Sequence, residues 1–159
     1  MKTRKFSIPQ FLGKDTMKFL VAVDCSESTE KVVKKAEEMA QAFSAKLWLL
    51  HIAEPEPDFL GFDTGPQSVR DHVAKRFQAE HSQIQAIAEK LRNTGIDTTA
   101  LLIQGSTVET ILKEAAKLDV DMIIIGSHGR NPISEIFWGS VSKGVVSKSE
   151  CPILIIPTH

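Results

Sequence analysis

Apolar positions along this chain fall into two alternating patterns. Lys18 to Val23 (KFLVAV) is a short, continuous apolar run rich in β-branched residues that ends at Asp24, Cys25 and Ser26, and it predicts a buried strand running into a polar loop. From Glu27 to Ala45, residues Val32, Val33, Ala36, Met39, Ala40 and Phe43 recur at helical spacing opposite a face rich in Lys and Glu, which predicts an amphipathic helix. Lys46 to Ile52 (KLWLLHI) is again continuous and apolar, and predicts a central strand. Val69, Val73, Phe77, Ile84, Ile87 and Leu91 trace a long helix that stops near Asn93 to Gly95, where Gly suits a left-handed cap. A third strand follows around Thr98 to Gln104. Ser106 and Glu109 then have capping-box spacing ahead of a helix that buries Val108, Ile111, Leu112 and Ala115. Asp121 to Ile125 reads as the fourth strand, and Ile153 to Ile156, bracketed by Pro152 and Pro157, as the fifth.

Strands without polar alternation, separated by helices, require a parallel sheet covered on both faces, so the predicted fold class is α/β. Residues 17–159 form one domain on this reading, preceded by a loose N-terminal extension over residues 1–16. Glu54 to Ser68 holds Pro55, Pro57, Gly61, Gly65 and Pro66 and shows neither period. It reads as a long loop, either a responsive element or an inert surface excursion. Right-handed crossovers place every strand's carboxyl end on one edge, and ligands of such sheets bind there, where the strand order reverses.

Composition narrows the partners. Nineteen Lys plus Arg against twenty Asp plus Glu leave a net charge of −1, so there is no global positive field to hold a polyanion. Aromatics are 6% of residues and Tyr is absent, which leaves little for base stacking, and nucleic acid is not an expected partner. No run approaches the ~18 to 20 apolar residues of a membrane span. The two cysteines, Cys25 and Cys151, form neither a CxxC pair nor a zinc-spaced cluster, which suits a reducing, cytoplasmic setting.

The candidate chemistry lies in Ile125-Gly126-Ser127-His128-Gly129-Arg130, followed by Gly139-Ser140-Val141-Ser142 in the spacing G-x2-G-x9-G-S. Gly126 and Gly129, directly after the fourth strand, let main-chain amides turn toward an anion with no Cβ in the way. Gly139 and Ser140 open a helix over Val141 to Lys148, whose first amides are unpaired and carry partial positive charge. The hydroxyls of Ser140 and Ser142 add donors for phosphate oxygens, His128 sits inside the glycine loop, and Arg130 is the nearest mobile cation. Gly144 interrupts that helix at a cost of about 1 kcal/mol against Ala, and close packing on the sheet is one reason for it.

From Gly126 through Gly129 to Gly139 and Ser140, this pattern resembles the nucleotide-binding motif of the universal stress protein family, and the resemblance extends over about residues 17–157. VAVDCSES resembles the family's first strand and acidic turn, LWLLHI its second strand, and CPILIIP its closing strand. The resemblance implies a flavodoxin-like five-stranded parallel sheet of order 3-2-1-4-5, ATP with Mg²⁺ at the edge where strands one and four diverge, and a homodimer. By the same resemblance Asp24 contacts the nucleoside, the main chain of Ile52 recognises adenine, and phosphates lie against Gly126, Gly129 and Gly139 through Ser142. Asp24 read by itself also suits a helix N-cap or an Asx turn. An edge strand at Ile153 to Ile156 is the expected dimer contact.

Missing motifs limit the chemistry. There is no GxxxxGK[ST], no GxGxxG after a strand and no GxSxG. The five histidines show no zinc spacing, and His51 reads as a plain strand-end residue. The expected role is therefore ATP occupancy that changes partner affinity in a stress response, without a catalytic constellation. The alternatives are a slow ATPase or nucleotidyl-transfer enzyme on the same scaffold, and a nucleotide-free interaction module.

Overall fold

The computed structural model describes residues 16–53, 67–127 and 139–158. The chain runs β1 (Lys18–Val23), α1 (Thr29–Phe43), β2 (Lys46–Ala53), α2 (Gln67–Asn93), β3 (Thr98–Gln104), α3 (Thr107–Lys117), β4 (Met122–Gly126), α4 (Ser140–Lys148) and β5 (Ile153–Ile156). All four strand pairings are parallel, and the sheet order is β3-β2-β1-β4-β5, as expected.

The side-chain period of two in each strand divides the core between the faces. Phe19, Val21 and Val23 of β1 join Leu47 and Leu49 of β2 on the face covered by α1 and α2, where Val32, Ala36, Ile84, Ala88 and Leu91 meet them. Leu20 and Leu50 point the other way, to Ile111 and Ala115 of α3 and Val145 of α4. Burying each large side chain of this kind stabilises the fold by roughly 1.5–3 kcal/mol.

Helix ends follow from local chemistry. Gly95 takes the left-handed conformation (φ 89°) after α2, and the amides of Gly95 and Ile96 donate to the carbonyls of Arg92 and Leu91, the cap expected for Gly there. Ser44 ends α1 two residues before the expected Ala45 by turning left-handed (φ 51°). Ser106 precedes α3 in extended conformation but makes no side-chain cap bond, so the anticipated capping box is not closed. Both Ser106 and Glu109 are exposed, where water competes for their polar atoms. Asp121 lies outside β4, and its carboxylate accepts from the Lys18 amide at 2.9 Å, pinning the amino end of β1. Gly144 packs against α3, not on the sheet: a Cβ there would lie 2.8 Å from Val108 Cγ2.

The expected loop over Glu54 to Ser68 lies outside the described residues up to 66, and α2 already begins at Gln67. The N-terminal extension likewise lies outside them through residue 15.

Candidate functional site

The strand register brings distant segments together at the carboxyl edge. Ala22 pairs with Ile125 and Val23 with His51, so Asp24 and Ile52 stand at the same height just beyond the ends of these ladders. A cleft of about 220 Å³ opens there. Asp24, Ile52, Gly126 and Val141 all line it, together with Ala22, Val23, Val32 and Ile111, which make much of its wall apolar.

Asp24 forms the Asx turn expected of it. Its Oδ1 accepts from the Ser26 amide at 3.1 Å, the Ser26 hydroxyl at 2.6 Å and the Thr29 hydroxyl at 3.3 Å, which is an Asx turn tied to the first residue of α1. Cys25 is held left-handed (φ 57°) within that turn. The carboxylate nonetheless belongs to the cleft wall.

At the start of α4 the geometry departs from expectation in two respects. The Gly139 amide donates to the Ser127 carbonyl at 2.7 Å, so this amide is already engaged, while the Ser127 amide donates to Ile156 at 2.8 Å. Ser142 is 2% exposed, and its hydroxyl donates to the carbonyls of Ser127 (3.0 Å) and Gly139 (3.1 Å). Its single proton therefore serves the fold and not a phosphate. The amides of Ser140, Val141 and Ser142 come first in the helix and have no acceptor within it, which leaves a partial positive charge at the helix start. Gly139 adopts φ −64° and ψ 159°, open to any residue, so its smallness is not required by backbone conformation. His128, Gly129 and Arg130 lie outside the described residues.

Sequence reasoning missed Arg76 and Glu80 of α2, which also line the cleft. A signal for them exists. Stepping back by fours from the buried Ala88 and Ile84 lands on Glu80 and Arg76, where polar side chains interrupt the sheet-facing stripe. Phe77, expected on the buried face, is instead 39% exposed. His51 is buried at 3% exposure, with Nδ1 2.9 Å from the Val23 carbonyl oxygen and Nε2 3.6 Å from Glu80 Oε2.

Among the described residues no three His, Cys, Asp or Glu side chains converge as a metal cage. A divalent ion at this edge would depend on phosphate oxygens, with Asp24 as the nearby carboxylate at the end of β1. Cys25 and Cys151 are not joined in a disulfide, and burial pushes the Cys151 thiol above its ordinary range, partly countered by its hydrogen bond with Ser149. No helix among the described residues is long and apolar enough to cross a membrane.

A five-stranded parallel sheet with a crevice at its carboxyl edge defines a flavodoxin-like α/β protein. The model of the universal stress protein family matches residues 16–157, and the chain belongs to that family of stress-response proteins. It is 33% identical over 138 residues to a universal stress protein of Thermus aquaticus, a match covering 86% of this chain and 96% of that one. The solved structure of MJ0577, a universal stress protein of Methanocaldococcus jannaschii, superposes with a TM-score of 0.75 at 27% identity, over 90% of this chain and 96% of that chain. A universal stress protein solved in complex with cAMP shares the fold at a TM-score of 0.68 and 20% identity, over 91% of this chain and 98% of that one.

Proposed function

We propose that this chain is a cytoplasmic ATP-binding regulator of the stress response, acting through nucleotide occupancy and not through turnover. The observation that carries the reading is the convergence of Asp24, Ile52, Gly126 and Val141, from four separate segments, on one cleft at the carboxyl edge. The apolar wall suits a purine ring, and the first amides of α4, at Ser140, Val141 and Ser142, suit phosphate oxygens. Asp24 and the Ile52 main chain would hold the nucleoside. Gly126, Gly129 and the α4 amides would hold the phosphates, with His128 and Arg130 adding contacts and Mg²⁺ carried on the phosphates themselves. That a protein of this fold binds cAMP is a property of that protein, and it agrees with the ligand class proposed.

Two copies would pair through β5, which lies at the sheet edge with Ile153, Leu154 and Ile155 only partly buried. Heat-denaturing the purified protein and inventorying the released nucleotides, followed by calorimetric titration with ATP, tests the reading. Absence of ATP binding at millimolar ligand by the folded protein would remove it.

A further inference from the structure

Ser127 is 5% exposed, directly follows β4, and engages its amide, its carbonyl and its hydroxyl with two other parts of the chain. The ladder between β4 and β5 ends with Gly126 opposite Ile156. One step on, the Ser127 amide donates to the Ile156 carbonyl at 2.8 Å, as the Ile123 amide donates to the Pro152 carbonyl at 2.9 Å near the start of the pairing. In a parallel ladder the same residue accepts through its carbonyl, so the next bond would run from the Thr158 amide to the Ser127 carbonyl. That bond is replaced. The Thr158 amide donates to the Ser127 hydroxyl oxygen at 3.2 Å, and the two hydroxyls lie 3.3 Å apart.

The Ser127 carbonyl is thereby left to α4, from which it receives the Gly139 amide at 2.7 Å and the Ser142 hydroxyl at 3.0 Å. A carbonyl oxygen has two lone pairs, and these two donors take both. A third donor would have to displace one of them. With alanine at 127 the Thr158 amide would lose its side-chain acceptor, and an amide left unpaired in a partly buried setting is costly. The acceptor that the ladder then offers it is the Ser127 carbonyl.

We infer that the Ser127 hydroxyl is a positioning group for the nucleotide cleft: it takes the Thr158 amide in place of the Ser127 carbonyl and so reserves that carbonyl for seating the first turn of α4. The amides of Ser140, Val141 and Ser142 keep their place after Gly126 only while that arrangement holds. Ser127 acts through α4 in this scheme, not by touching the ligand. Its effect on affinity rests on the nucleotide reading above, whereas its effect on α4 does not.

The test uses Ser127→Ala, a chain ending at Pro157, and the two changes combined, each beside the full-length wild-type protein. Amide hydrogen exchange of Gly139 without nucleotide and calorimetric ATP affinity are read for all of them. In Ser127→Ala the Thr158 amide competes for the carbonyl, so Gly139 exchange is expected to quicken about tenfold or more and ATP affinity to fall about fivefold or more. Removing Thr158 in that background removes the competitor and is expected to restore both toward wild type. A merely structural hydroxyl gives the opposite, since two losses of contact leave the combined variant no better than Ser127→Ala. Unchanged Gly139 exchange in Ser127→Ala, or no recovery on removing Thr158, overturns the inference. So does the expected exchange pattern with ATP affinity the same in every protein. If that pattern appears and none of the proteins, wild type included, binds ATP, the seating of α4 by Ser127 stands and the nucleotide reading falls. If Ser127→Ala does not fold, scalar couplings across hydrogen bonds in the wild-type protein decide. A coupling from the Gly139 nitrogen to the Ser127 carbonyl carbon, with none from the Thr158 nitrogen, upholds the inference, and one from Thr158 overturns it.

Discussion

Replacing Gly144 with alanine sets two opposing effects against each other at one site. Alanine favours a helix interior over glycine by about 1 kcal/mol. The added Cβ would lie 2.8 Å from Val108 Cγ2 and 3.3 Å from Val108 Cγ1, on a β-branched side chain with little rotamer freedom. Overpacking of that kind costs typically about 1–3 kcal/mol, so Gly144→Ala is expected to be neutral to about 2 kcal/mol destabilising. Removing both methyls with Val108→Ala leaves Val108 Cβ as the nearest of those atoms, at 3.6 Å, an ordinary contact. In that background Gly144→Ala should stabilise by up to about 1 kcal/mol. The double-mutant cycle therefore has a coupling energy of at least about 1 kcal/mol, read from urea unfolding of the four nucleotide-free proteins. In melting, each kcal/mol corresponds to roughly 2–4 °C for a chain of this size. Equal effects of Gly144→Ala in both backgrounds would refute the reasoning.

Further outcomes follow at other positions. Gly139→Val should keep the fold, since φ −64° and ψ 159° admit any side chain, yet lower ATP affinity more than about tenfold by filling space beside the α4 amides; calorimetry reads this. Asp24→Asn keeps an acceptor for Ser26 and Thr29, so a fall in affinity with unchanged melting would separate a ligand role from the Asx turn. Asp24→Ala loses both. Cys151, its thiol raised by burial, should react with iodoacetamide more slowly in the folded than in the urea-unfolded protein. Because the unfolded thiol ionises first, this group removes stability as pH climbs above the ordinary thiol range, visible as lower melting in alkali.

The strands were legible because a sheet covered on both faces needs uninterrupted apolar runs, and KFLVAV and KLWLLHI have no other reading as short buried segments. Gly95 was legible for a local reason, a left-handed cap that needs no tertiary contact. What escaped depends on which way a side chain points. The Ser142 hydroxyl is drawn inward by the carbonyls of Ser127 and Gly139, and nothing in G-x2-G-x9-G-S distinguishes that from a phosphate donor. Gly144 owes its size to Val108, thirty-odd residues earlier, and only the approach of α3 to α4 discloses the pairing. Arg76 and Glu80 were hidden because the long helix was read by its apolar members, whereas the cleft is marked by the polar ones that interrupt the stripe.

The carbonyl of Ser127 receives both the Gly139 amide and the Ser142 hydroxyl, so one acceptor at the end of β4 fixes where α4 begins. Because two donors share it, the seating of α4 against β4 survives the loss of the Ser142 hydroxyl alone.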